Sequence, residues 1–154
     1  MVNANREVVR LHGDVKRGAA VFQRKCSTCH KIGNAGFEVG PNLLSMTDKS
    51  AENVLIAVLD PSRAVETRYR NYIAQTAQGQ TFTGVLAAET GNSITLLAQE
   101  GKQQVILRAD LEELRSTGKS LMPDGLEKDL SRQDLADLVT YVSGLKSDAH
   151  ASAN

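Results

Sequence analysis

The stretch Cys26-Ser27-Thr28-Cys29-His30 decides how the chain is read, because it holds both cysteines and one of the three histidines in 154 residues. Two thiols three positions apart, followed at once by an imidazole, form the Cys-x-x-Cys-His signature of c-type haem attachment. The spacing lets each thiol add to a vinyl group on one porphyrin edge while the next residue projects its ring toward the iron. One haem held through Cys26 and Cys29, with His30 as proximal ligand, is the expectation. Three other chemistries use such residues. A zinc centre needs two further Cys or His ligands, and only His12 and His150 remain, at opposite ends of the chain. A thioredoxin-like dithiol opens a helix after a strand, whereas these cysteines are expected to close one. A simple disulfide leaves His30 without a role.

Upstream, Asp14 is a helix N-cap, and Val15, Gly18, Ala19 and Phe22 fall on one side of the helix that runs to Cys26. Downstream comes a loop with Gly33, Gly36, Gly40 and Pro41. Val54, Leu55, Val58 and Leu59 then mark a second helix that stops before Pro61. From Tyr69 to Arg108 the hydrophobic period becomes alternating, punctuated by Gly79, Gly91-Asn92 and Gly101. This predicts three or four antiparallel strands near 71–77, 81–88, 93–98 and 103–108. Asp110 is expected to cap a short helical segment through Leu114, and 116–125, with Met122 and Pro123, to be loop. Ser131 and Asp134 make a capping-box start, after which Leu135, Leu138, Val139, Val142 and Leu145 trace the face of a last helix.

The length suits one domain with its own core. Its expected extent is 13–146, with an extension at 1–12, a β insertion at about 69–109 and a flexible tail at 147–154. Eighteen basic and eighteen acidic residues cancel, which leaves no basic excess for phosphates, so nucleic acid is not an expected partner. Apolar runs such as Val54 to Leu59 are too short to span a bilayer. Met1-Val2-Asn3-Ala4-Asn5 lacks the charged start and apolar stretch of a signal peptide and reads as either an artificial start or a boundary inside a longer protein. Aromatic residues are only 4% of the chain, with no Trp, so a bound apolar cofactor would supply bulk the core lacks.

The sixth iron ligand is a separate question. Met122, ahead of Pro123, offers a thioether, which favours reduced iron; the alternative is a gap-filling core residue. Met46, beside Leu43 and Leu44, reads as core, and His12 as a surface residue.

The order of first helix, Cys26-to-His30 motif, Gly40-Pro41-Asn42-Leu43, Met-Pro loop and last helix resembles the small mitochondrial-type (class I) cytochromes c. Gly18 with Phe22, and Leu138 with Tyr141, resemble that family's contact between first and last helices. A closer resemblance is to the haem-binding cytochrome c domain of planctomycete and verrucomicrobial proteins. It rests on Val39-Gly40-Pro41-Asn42-Leu43, Leu59-Asp60-Pro61-Ser62-Arg63-Ala64-Val65, the strand-rich insertion and Ser120-Leu121-Met122-Pro123-Asp124-Gly125-Leu126.

The resemblance implies a mainly α cytochrome c fold with a small antiparallel β insertion at about 71–108. It also implies Pro41 as carbonyl partner of His30, a haem contact at Leu43, and Met122 as distal ligand beside His30. The implied activity is one-electron transfer by a periplasmic or exported protein that is not an enzyme. The partners would be redox proteins, among them a fused or separate dehydrogenase from which this domain was excised, and a homodimer is a further option. The alternative is a haem sensor or peroxidase-like protein with an open or labile sixth position. Arg68, Tyr69, Arg70 and Tyr72 are candidates for haem propionates, and Lys16, Arg17, Arg24, Lys25 and Lys31 for steering an acidic partner.

Overall fold

The structure, a computed structural model, describes residues 6–146. The expected tail at 147–154, with His150, and the start with Met1 lie outside the described residues. Three α-helices form around local capping chemistry. In α1, Val15–Lys25, the Asp14 side chain accepts from the Arg17 N–H. In α2, Ala51–Leu59, Ser50 accepts from Asn53 N–H, and the helix ends at Asp60, just before Pro61. In α3, Arg132–Ser143, Ser131 and Asp134 exchange the two bonds of a capping box. Each cap satisfies backbone donors that a helix start otherwise leaves unpaired.

Helices α1 and α3 cross in close contact. Phe22 and Tyr141 meet with ring centroids 6.0 Å apart at 51°, and Gly18 lies against the Asp137 carbonyl, where a Cβ would come within 2.0 Å of it. Around them Val8, Val21, Phe22, Val54, Leu55, Val58, Leu59, Leu135, Leu138, Val139 and Val142 form the helical core. Asp137 is 1% exposed in that interface. Its carboxylate accepts from Arg17 Nε at 2.6 Å, from the Asp14 N–H at 2.8 Å and from Gln133 Nε2 at 2.8 Å. Asp137 therefore ties α1, its cap and α3 together.

The hydrogen bond from Arg17 holds the Asp137 carboxyl well below the ordinary value of 3.8. A carboxyl whose folded pKa is depressed stabilises the fold fully above its unfolded value, and that stabilisation is lost as pH falls toward the folded value. Asp137→Asn should thus lower unfolding free energy at neutral pH by about 1.5–3 kcal/mol, the range for hydrogen bonds to a charged group. The deficit against wild type, followed by urea denaturation, should shrink below about pH 4.

The expected mainly α fold is corrected by the strands, which hold more residues than the α-helices among the described residues. A small hairpin, β1 (Lys31–Ile32) with β2 (Ala35–Gly36), follows the cysteine motif. A five-stranded antiparallel sheet then contains β3 (Arg70–Thr76), β4 (Thr81–Glu89), β5 (Ser93–Leu97), β6 (Gln103–Leu107) and β7 (Leu111–Ser120), in the order β6-β5-β4-β3-β7. It buries its own apolar cluster of Ala74, Ile94, Leu96 and Ile106.

Most of the expected helix at Asp110–Leu114 and the first half of the expected loop at 116–125 are the strand β7, so the insertion runs to Ser120 and not to Arg108. The reason is a register shift: Ala74 pairs with Leu114 and Gln75 with Glu113, but Thr76 pairs with Leu111, which leaves Glu112 as an extra residue. A bulge of this kind breaks the period of two. Leu111 and Leu114, three apart and so helix-like in sequence, both pack on the sheet's cluster.

Candidate functional site

Helix α1 hands the chain directly to the motif. Cys26 is its C-cap residue, with its N–H donating to the Phe22 carbonyl at 2.8 Å. The next turns are held by carbonyls that all find donors. Cys26 C=O accepts from the Cys29 and His30 N–H groups, Ser27 C=O from Phe37 N–H at 3.0 Å, Thr28 C=O from Glu100 N–H at 2.7 Å, and Cys29 C=O from Val39 and Gly40 N–H groups. Ser27 is 7% exposed, and its hydroxyl donates back to the Gln23 carbonyl at 2.6 Å. The loop is thus fixed largely by backbone bonds, with the Ser27 hydroxyl adding one more.

Cys26, Cys29, His30, Pro41, Leu43 and Met122 line one cavity of about 900 Å³, near the upper end of the range for small-molecule and cofactor sites. Val54, Val58, Leu138 and Val142 bring the helical core to its wall, and Met46, Arg63, Arg68, Tyr69 and Val85 line it too. Arg70 and Tyr72 are not among the lining residues but lie on β3. Arg68 is held by Glu66 at 2.9 Å and lies 4.8 Å over the Tyr69 ring. His12 is exposed and away from the cavity, where its carbonyl accepts from Gln133 Nε2.

The His30 ring is oriented from behind. Its Nδ1 lies 2.8 Å from the Pro41 carbonyl, so Nδ1 carries the proton that it donates and Nε2 keeps its lone pair. Gly40 makes room for that ring, since a Cβ there would sit 2.8 Å from His30 Cε1. Burial, partly offset by the Pro41 bond, lowers the pKa of His30 and so favours the neutral imidazole.

The thiols are also unlike those of a reactive dithiol. Burial first, and then the charge of Cys29, pushes the Cys26 thiol up to about 12. Burial raises Cys29 as well, against a lowering bond from Thr28. Dithiol catalysis requires the opposite shift. Among the described residues no group of three or more His, Cys, Asp and Glu is gathered for a metal ion.

The flanking cations are largely engaged: Arg17 pairs with Asp137, Arg24 with Asp134 at 3.9 Å, and Lys25 with Asp129 at 3.5 Å. This reduces the charge available for steering. Arg63 and Val85 were not singled out from sequence. Arg63 lies inside the Leu59-to-Val65 block that carried the resemblance, whereas Val85 reaches the site only through the sheet's placement.

The motif closes a helix that crosses the last helix, and comparison with known proteins finds similarity over the part of the chain that carries it. Residues 13–81 match the family described as cytochrome C oxidase, cbb3-type, subunit III. A curated relative, "Cytochrome c-553-like" from Synechocystis sp., is 36% identical over 50 residues, which are 32% of this chain. The matched part spans 47% of that relative's length. No helix among the described residues is long and apolar enough to cross a membrane.

Proposed function

We propose that the chain is a c-type cytochrome that carries single electrons, with one haem linked through Cys26 and Cys29 and ligated by His30 and Met122. The observation that carries this reading is the convergence of both thiols, an oriented imidazole and a thioether on one largely apolar cavity. Such a cavity fits a flat apolar ring, and the space before Gly40 fits a ring-bearing ligand in fixed orientation. The haem, when bound, supplies the one-electron couple.

The chain's own residues supply attachment and orientation. Cys26 and Cys29, protonated at neutral pH, are spaced to form thioethers. The Pro41 carbonyl fixes which nitrogen of His30 faces the cavity and raises its basicity. Met122, half-buried, has its N–H held by the Ser120 hydroxyl at 3.1 Å, and a thioether ligand raises the potential. Arg63, Arg68 and Tyr69 are donors on the cavity lining suited to propionate carboxylates. Because attachment of this kind takes place outside the cytoplasm, the reading includes an exported or periplasmic location. Its partners are then redox proteins, including a dehydrogenase whether fused or separate.

The test is the visible and near-infrared spectrum of protein matured with haem. The oxidised form should show the sulfur-to-iron band. Met122→Ala should lose that band, bind carbon monoxide readily when reduced, and shift to a lower potential. Rapid carbon monoxide binding by the unaltered protein would instead indicate an open sixth position and a sensor or peroxidase-like role.

A further inference from the structure

The sheet meets the cavity at Val85 and the attachment loop at Glu100. Val85, on β4 and 6% exposed, lines the cavity that the motif lines. Its neighbour Gly84 lets β5 approach closely, since a Cβ there would lie 2.7 Å from the Leu97 carbonyl. Just past the same end of β5, the turn Gln99–Gly101 rests on the attachment loop. Glu100 donates its N–H to the Thr28 carbonyl at 2.7 Å, and Gly101 sits so near Phe37 that a Cβ would be 3.3 Å from its ring. Among the described residues Glu100 is the one non-glycine residue with positive φ, at 60°. Such a conformation disfavours a residue with a Cβ and persists where its surroundings over-determine it.

We infer that the sheet is a wall of the haem site, in which Val85 excludes water from the cavity and the Glu100–Thr28 bond holds the sheet on the attachment loop, so that the sheet sets the reduction potential. This rests on the functional reading above. Oxidised haem iron carries one more positive charge than reduced iron. A water-free apolar wall disfavours that extra charge, and burial is one of the means by which a protein tunes haem iron. Val85 acts here as a positioning residue that controls solvent, not as a ligand.

The experiment is potentiometric titration of the full chain matured with haem. Val85→Thr keeps the side chain's shape and adds a hydroxyl; Val85→Asp adds a charge; Val105→Asp puts the same charge on β6, where the residue is 56% exposed. The potential should fall from wild type to Val85→Thr and further to Val85→Asp, with the near-infrared band retained, while Val105→Asp stays at the wild-type value. Amide exchange read by NMR should show the Glu100 N–H protected in the wild type. If Val85→Asp fails to fold, Val85→Thr carries the test. Val85 variants that hold haem at an unchanged potential, or a Glu100 amide exchanging at the unprotected rate, would overturn the wall. A wild type without covalent haem would overturn the functional reading beneath it and the wall with it.

Discussion

Gly18→Ala should destabilise the fold by about 1–3 kcal/mol, the range for overpacking a well-packed site, although alanine in a helix interior ordinarily gains up to about 1 kcal/mol over glycine. The two effects have opposite signs, and the geometry decides between them. The added Cβ would stand 2.0 Å from the Asp137 carbonyl oxygen and 2.6 Å from Tyr141 Cβ. A backbone carbonyl in mid-helix cannot rotate away, so relief requires α1 and α3 to separate. That separation would loosen the Phe22–Tyr141 contact and stretch the bonds to Asp137. Gly18→Val, larger still, should leave little of a typical domain's 5–15 kcal/mol. Gly91 is a suitable control, since a Cβ there meets nothing within 4 Å, and Gly91→Ala should leave the denaturation midpoint near wild type. An unchanged or raised midpoint for Gly18→Ala would show that the helices do not cross as described.

The second large effect concerns the cysteines. The double variant Cys26→Ala, Cys29→Ala should lose all haem that survives denaturing electrophoresis, and extraction with acidified organic solvent should strip any that remains. Each single variant should keep one thioether and so some resistant haem. Loss of structure would not explain the double variant's result, because Cys29 is only half-buried and Cys26 loses no more than a small group. Circular dichroism of the haem-free proteins checks this directly. Resistant haem in the double variant would mean that attachment runs through other residues.

What the sequence revealed was mostly what local chemistry determines. Asp14, Ser50 and Ser131 cap helices by reaching backbone donors within the next turn, so residue type and spacing suffice to place those starts. Gly79, Gly91 and Gly101 punctuate strands that lie within a residue or two of their expected spans. Strand β7 was hidden because its bulge at Glu112 gives Leu111 and Leu114 a helical spacing, and nothing local signals a bulge whose cause is pairing with β3. Taking the fold as mainly α followed from missing that strand and from counting the sheet as a small addition. The six candidate residues do line one cavity. Three fall within one five-residue motif, Met122 stood out as a thioether ahead of Pro123 before the resemblance made it the distal ligand, and Pro41 and Leu43 were reached through resemblance. Val85 and Glu100 come to the site by tertiary placement, which periodicity cannot convey.

The sheet begins and ends at one neck. Arg70 pairs with Ser120, the Leu121 N–H donates to the Tyr69 carbonyl at 3.4 Å, and the Ser120 N–H donates to the Ser62 hydroxyl at 3.2 Å. The two flanks therefore lie close enough for a short join, and a lineage could gain or discard the whole module in one genetic event without rerouting the helices.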